Sequence, residues 1–464
     1  MRKPLLWITL LFAAAAPLVA HAASGPIGLS ENQTREVAAM VDRAVSDKIA
    51  AAKPAVDTGD TAWILVSAAL VLMMTPALAF FYGGLVRRKN MLSILMQCYM
   101  LMGLITVEWV LVGYTLSFGP DHHGLIGGLD WFGLCGVGLA PNADYAATIP
   151  HQAFMVYQCM FAIITPGLIL GAFAERMKFS AFCVFSLLWA LVVYNPVAHW
   201  VWGVGGFLRQ MGALDFAGGA VVHVNAGMAA LASALYLGKR KGFPTHISPP
   251  HNLPFAVLGA GLLWFGWFGF NGGSALGSGA LATNAFVTSH IAAGTAGLVW
   301  ALLDWKVNSH PTMLGNITGA VAGLVAITPA AGFVDPLGAL AIGVTVAIIC
   351  FVSVMYVKGK FGYDDSLDAF GVHGVGGFWG ALATGLWATK AVNAAGADGL
   401  FHGNPLQFWI QIKATVLTAA FSFVASFALL WLVDKALGLR VSDQDERIGL
   451  DLTQHRETAY TLLD

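Results

Sequence analysis

Charge is what this chain lacks. Only 24 Lys+Arg and 25 Asp+Glu stand among 464 residues, 11% in all, where a soluble domain carries about 25%. So few charges cannot clothe a soluble globule of this length. The net charge of −1 supplies no basic field, which excludes an electrostatic nucleic-acid binder. Cysteine is sparse too: Cys98, Cys135, Cys159, Cys183 and Cys350 form no Cys-x-x-Cys pair. There is no His-Glu-x-x-His and no phosphate-loop sequence, so no motif calls for a metal or a cofactor. What is abundant is apolar surface, 57% of residues, together with 54 glycines that follow no Gly-X-Y repeat. These features predict an all-α membrane protein with many helical spans.

Arg2 and Lys3 precede an apolar run, Leu5 to Ala20, which ends at Ala20-His21-Ala22. A basic start, a short apolar core and a small-x-small site predict a signal peptide over 1–22, cut near Ala23; a retained first span is the alternative. Residues 23–60 are polar and helical in pattern. Ser30 with Gln33 forms a capping-box signature, and Val37, Met40, Val41, Ala44, Val45 and Ile49 make one apolar stripe. This extracytoplasmic helical extension lies on the protein's own outer surface or docks a neighbouring subunit.

Eleven spans are predicted near 61–86, 92–118, 150–173, 179–202, 217–237, 254–275, 280–303, 314–333, 336–357, 368–388 and 407–433. Loop charges set their direction. Arg87, Arg88, Lys89, Arg176, Lys178, Lys239, Arg240, Lys241, Lys306, Lys358, Lys360 and Lys435 all follow odd-numbered spans, whereas the remaining loops hold only Arg209 and Lys390. Basic residues mark the inner side, so the N-terminus lies outside and the C-terminus inside. Residues 61–433 form the transmembrane domain. The cytoplasmic tail, 434–464, is short, polar and mixed in charge, and reads from its composition as solvated.

His223 in His-Val-Asn-Ala-Gly and His373 in His-Gly-Val-Gly-Gly both fit His-x-x-x-Gly, five spans apart. An odd offset inverts the second half, giving a 5+5 inverted repeat plus a final helix, with a site expected at the interface of the halves. His223 lies eight residues inward from Asp215, about 12 Å. His373 lies five residues inward from Asp368, roughly 8 Å, from the opposite side. A single intramembrane histidine is as readily a neutral hydrogen-bonded core residue as a functional one. Two at matching repeat positions favour function. His290 has no repeat partner and reads as core.

Asp215-Phe-Ala-Gly-Gly-Ala-Val-Val-His223, Trp264-Phe-Gly-Trp-Phe-Gly-Phe-Asn-Gly-Gly-Ser274 and Asp364-Asp-Ser-Leu-Asp-Ala-Phe-Gly-Val-His373 carry a resemblance. They resemble the signatures of the ammonium transporter (Amt/Mep/Rh) family, bacterial Amt branch, and the likeness runs from about residue 61 to the end. The resemblance implies a homotrimer with one narrow pore per subunit. It implies an outer ammonium recruitment site of Trp202, Ser274 and Phe161, ordered by Asp215. Phe161 and Phe270 would be stacked gates, and His223 and His373 the paired pore histidines. It further implies a bacterial inner-membrane location, and a tail that packs beneath the trimer and meets a PII-type signal protein. Tyr157 departs from the pattern, standing where phenylalanine is common.

The residues also have plainer readings. Trp202 can be an interface anchor, Phe161 and Phe270 can be packing, and Asp215 can cap the fifth span. Glu108 and Lys413 lie within spans with no assigned partner. The chemistry nevertheless suits a small cation. A tryptophan face attracts ammonium by roughly 0.5–2 kcal/mol, and neutral imidazoles offer one donor and one acceptor to ammonia. The expected function is electrogenic ammonium uptake: deprotonation near the gate, ammonia passage along the histidines, and separate proton transfer. An ammonium sensor and an electroneutral ammonia channel of the Rhesus type are the alternatives. An enzyme is disfavoured, since no nucleophile–base motif is present.

Overall fold

The computed structural model describes residues 31–51, 56–245 and 249–460. The expected signal peptide, 1–22, and Ser30 of the expected capping box lie outside the described residues. The chain divides into two compact units, Met1–Ala55 and Val56–Asp464. In the first, helix α1 (Glu31–Ala51) carries the predicted stripe, of which Val37, Met40 and Val41 are exposed.

The second unit is a helical bundle. In chain order its long helices are α2 (Thr58–Leu85), α3 (Arg88–Phe118), α4 (His151–Phe173), α5 (Phe179–Met211, interrupted over 203–206), α6 (Gly219–Leu237), α7 (Leu253–Gly273) and α8 (Ala280–Asn308). They continue as α9 (Met313–Ile327), α10 (Pro336–Phe361), α11 (Phe370–Gly374 running into Val375–Trp387) and α12 (Pro405–Leu437). Among the described residues nine of these are long and apolar enough to cross a membrane; α9 is shorter, and α11 is diluted by glycine and His373. Side-chain oxygens cap several starts: Asp57 takes the N–H of Asp60 at 2.8 Å, and Asp335 that of Gly338 at 2.7 Å. Leu65, Val66, Leu298, Trp305, Val424 and Trp431 point outward from their helices, as a lipid-facing bundle requires.

Two places depart from the predicted pattern. The helix expected over 314–333 ends at Ile327: Thr328 still has helical backbone, but Pro329 has no N–H with which to continue the bond ladder. Turns carry the chain onward, with Ala330 N–H donating to Ile327 O at 2.8 Å. The connection between α3 and α4 also holds two small antiparallel hairpins, Asp121–His122 with Ile126–Gly127 and Pro141–Asn142 with Ala146–Pro150.

The C-terminal segment departs from what its composition alone suggests. It is not a solvated tail but is bonded to the helix ends opposite the hairpins. Lys178 N–H donates to Leu439 O at 2.8 Å, Val441 N–H to Arg176 O at 3.0 Å, and Leu450 N–H to Asn90 Oδ1 at 2.8 Å. Asp451 accepts the N–H of Ser93 at 2.8 Å and so serves the start of α3. Composition read this segment by its charges, whereas its backbone amides do much of the docking.

A charge cluster lies under it. Glu175 accepts from Arg87 at 2.7 and 3.0 Å, from Asn90 at 2.9 Å and from Arg240 at 3.3 Å. Asp364 takes three bonds from Arg240 at 2.8–2.9 Å. Burial pushes the Glu175 carboxyl up, but the Arg87 and Arg240 charges outweigh it and hold the group below its ordinary value.

Candidate functional site

Three hollows adjoin one another within the bundle. The first, of about 140 Å³, opens on the hairpin side and is lined by Phe161, Trp202, Ser274, Gln158, Arg209 and Phe216 among others. Its floor is a pair of rings: Phe161 and Phe270 have centroids 4.2 Å apart, inclined by 36°. Below them a chamber of about 10 Å³ is lined by Phe270, His223, His373, Trp267, Leu78 and other apolar side chains. It shares Phe81, Val321 and His373 with a vestibule of about 340 Å³, which Arg240, Lys358, Asp304 and Asp368 also line.

The two histidines stand on matching local structures. His223 lies in the π-helical turn Gly219–Val224 and His373 in the π-helical turn Phe370–Gly374. Such turns widen a helix locally and re-aim a side chain. The imidazole centroids are 5.4 Å apart and the rings nearly parallel, at 17°. Both nitrogens of His223 and Nδ1 of His373 are buried without a hydrogen-bond partner. Buried polar atoms are rarely left so, and both histidines line the narrow chamber. Trp267 stacks on His223 at 5.4 Å and is itself held by Nε1 donating to Thr328 at 2.9 Å.

The motif glycines explain why the rings meet. A side chain at Gly227 would strike the backbone of Gly374, and one at Gly377 would lie 2.7 Å from His223 Cβ. Each half therefore rests its histidine turn on the glycine of the other half, main chain against main chain.

Asp215 is placed beside the first hollow but does not line it. Its Oδ1 accepts from Gly218 and Gly219 at 2.8 and 2.6 Å, and its Oδ2 from Ala220 and Val221 at 2.8 and 3.1 Å. These are the free N–H groups that open α6. Burial pushes this carboxyl up while the four backbone bonds pull it down, with burial the larger effect. The Asp215 carbonyl accepts Trp202 Nε1–H at 2.9 Å, fixing the indole whose ring meets Phe161 at 6.0 Å and 89°.

The sequence offers Asp364, Asp365 and Asp368 as charges near the start of the tenth span, and the structure singles out Asp365 as the counterpart of Asp215. Asp365 accepts the N–H groups of Ala369 and Phe370 at 3.0 and 2.8 Å, at the start of α11. The signal was present: an aspartate stands eight residues before each histidine, Asp215 before His223 and Asp365 before His373. Asp364 and Asp368 are engaged elsewhere, with Arg240 and with Lys358 at 2.8 Å.

Other flagged residues lie apart from these hollows. Glu108 accepts from Asn195 at 2.7 Å, while Lys413 is exposed, so the two are not paired. His290 is exposed, with Trp264 at 5.4 Å. Tyr157 is fully buried behind the hollow, its hydroxyl 2.7 Å from Phe270 O.

Comparison with known proteins follows the geometry. A sequence profile described as Ammonium Transporter Family matches residues 62–460. The chain is 53% identical over 402 residues to an ammonium transporter of Bacillus subtilis (strain 168), covering 87% of this chain and 98% of that protein. The crystal structure of Candida albicans Mep2 superposes with a TM-score of 0.79 at 38% identity, over 84% of this chain and 88% of that one. A structure described as a sensor Amt protein superposes with a TM-score of 0.79 at 29% identity, over 86% of this chain and 98% of that one.

Proposed function

The chain belongs to the ammonium transporter family, and on that premise we propose that it strips ammonium of a proton at the Phe161–Phe270 pair and conducts ammonia past His223 and His373, the proton following separately. The observation that carries this reading is the stacked imidazole pair, 5.4 Å apart, with unpartnered nitrogens in a chamber of about 10 Å³. Ammonium is received where the Trp202 face attracts a cation and Ser274 offers lone pairs. Asp215 acts there through Trp202 and the start of α6. Carrying an intact cation through an apolar chamber costs several kcal/mol, about 2.5–3.5 on insertion scales. Ammonia avoids most of that cost. The N–H bond breaks at the ring pair, and its proton goes to the lone pair of a neutral imidazole nitrogen. The proton then passes from His223 to His373 and leaves through the vestibule. Net charge moves, so uptake is electrogenic. Potassium has no proton to give up and is refused at the same step.

The rest of the reading concerns assembly. All eleven long helices of the second unit cross the membrane, nine by length and apolarity alone and α9 and α11 by completing the repeat. Basic residues at the ends that meet the C-terminal segment support a cytoplasmic C-terminus and, after signal cleavage, an outer N-terminus in a bacterial inner membrane. The working unit is a homotrimer, and the docked C-terminal segment is the surface offered to a PII-type signal protein.

Purified protein in liposomes tests the mechanism. An ammonium jump should give a transient current and a potassium jump should not, and His373→Ala should lose that current or its selectivity while assembly persists. A pH change without current would replace this reading with electroneutral passage, and ammonium binding without flux would replace it with a sensor.

A further inference from the structure

Tyr157 touches every part of the gate without lining the hollow that receives the substrate. It sits on α4, fully buried. Its ring stands edge-on to Phe161, centroids 5.0 Å apart at 68°. Its hydroxyl lies 2.7 Å from Phe270 O, 3.0 Å from Gly269 O and 3.2 Å from Ser274 Oγ. The Ser274 hydroxyl is 2.9 Å from the same Phe270 carbonyl. A side chain at Gly273 would lie 2.7 Å from the tyrosine hydroxyl, so the phenol fits only because that position is glycine.

Proton counting decides what this cluster does. The phenol and the serine each have one proton and two lone pairs, and a carbonyl has two lone pairs. The shortest arrangement sends both protons to Phe270 O, which satisfies that carbonyl in full. Ser274 then shows the cavity lone pairs only, which is the form that can accept from a cation with N–H donors. Without the phenol, the Phe270 carbonyl loses one of its two side-chain donors and Ser274 loses its neighbour. Ser274 keeps its own bond to Phe270 O but no longer has the phenol oxygen as a second inward partner, so its proton turns more often toward the cavity, where it opposes a cationic donor.

We propose that Tyr157 is a positioning residue that holds Ser274 as an acceptor and thereby sets the affinity of the outer site for ammonium. This rests on the reading of Trp202 and Ser274 as the recruitment site.

The test is Tyr157→Phe, which keeps the ring and removes only the hydroxyl. Calorimetry of ammonium binding to the detergent-solubilised protein should show Kd raised about three- to tenfold, the weight of one neutral hydrogen bond. In liposomes the half-saturating ammonium concentration should rise with it, and the maximal current should stay within about twofold. In a Ser274→Ala background the same change should shift Kd by less than about twofold, because the two residues act as one unit. An unchanged Kd, fully additive effects, or a loss of maximal current at unchanged Kd would each overturn the proposal. Failure of the wild-type protein to carry ammonium current would count against the transport reading instead, since the binding comparison stands without flux.

Discussion

Asp215 commits both carboxylate oxygens to four backbone N–H groups, which leaves no lone pair plainly free for a substrate. Its work is therefore local order: it starts α6, and through its carbonyl it steadies Trp202. Asp215→Ala should lower stability by about 1–3 kcal/mol, read as a fall in melting temperature in detergent. The half-saturating ammonium concentration should rise in the same variant, because the main-chain carbonyl that holds the indole loses the side-chain bonds that fix its position. A variant that melts like wild type would show that water replaces the carboxylate without cost. The motif residues themselves were legible in the chain. Phe161, Trp202 and Ser274 line one hollow and Phe270, His223 and His373 the next, with the Phe161 and Phe270 rings in contact between them. Asp365 was legible only as one of three charges near the start of the tenth span, and Tyr157 had no role assigned. Three aspartates crowd residues 364–368, and only geometry sorts one to an arginine, one to a lysine and one to backbone amides. Tyr157 was noted as a departure, but its hydroxyl has no visible purpose until Phe270 O and Ser274 Oγ are seen beside it.

At the scale of helices, apolar runs located the spans because a bilayer forces each one to be long and continuous. They did not show the π-helical turns. Five occur among the described residues, at Trp109–Gly113, Ala190–Tyr194, Gly219–Val224, Ser353–Val357 and Phe370–Gly374, and two of these carry the histidines. A one-residue bulge leaves no composition signature. Helix ends were also hidden where charges meet across distant segments. Arg240, just beyond α6, bridges Glu175 and Asp364; against the opposing effect of burial, Arg87 and Arg240 hold Glu175, and Arg240 holds Asp364, below the ordinary range. Groups depressed in this way stabilise the fold fully above the unfolded value, roughly 4. That contribution is lost as pH falls through the folded value. The melting temperature should thus hold level from pH 7 to about 5 and fall below about 4. In Arg240→Gln the two buried carboxylates lose their shared cation, so the decline should begin at higher pH and from a lower plateau. An unshifted acid limb would mean that Arg87 and Arg176 suffice.

For the whole molecule, the C-terminal segment works as a clamp on separate helix ends. Arg440 donates to Leu237 O at 2.8 Å and to Glu446 at 2.8 Å, while Glu446 in turn accepts Lys241 N–H at 2.7 Å. Ending the chain after Gly438 should strip partners from Asn90, Ser93 and Lys241 together. The melting temperature should fall, and the connection between α6 and α7 should become sensitive to protease. Ammonium binding should stay as in wild type, since the outer hollow lies at the other ends of the helices. Weakened binding in that variant would show that the two faces are coupled. The pairing of the two histidines was readable from His-x-x-x-Gly in both places, whereas the bonds that dock the segment were not, because backbone amides that seek distant carbonyls leave no trace in residue type.

Gly227 and Gly377 set the spacing of the histidine pair. Because each presses the opposite half's main chain, the gap between the imidazoles is a caliper cut in backbone rather than in pliable side chains. Warming the protein or exchanging its lipids should alter how fast cargo crosses while leaving the choice between ammonium and potassium unmoved. By the same logic, one added methyl at either glycine forces the jaws apart, and neither half can compensate alone.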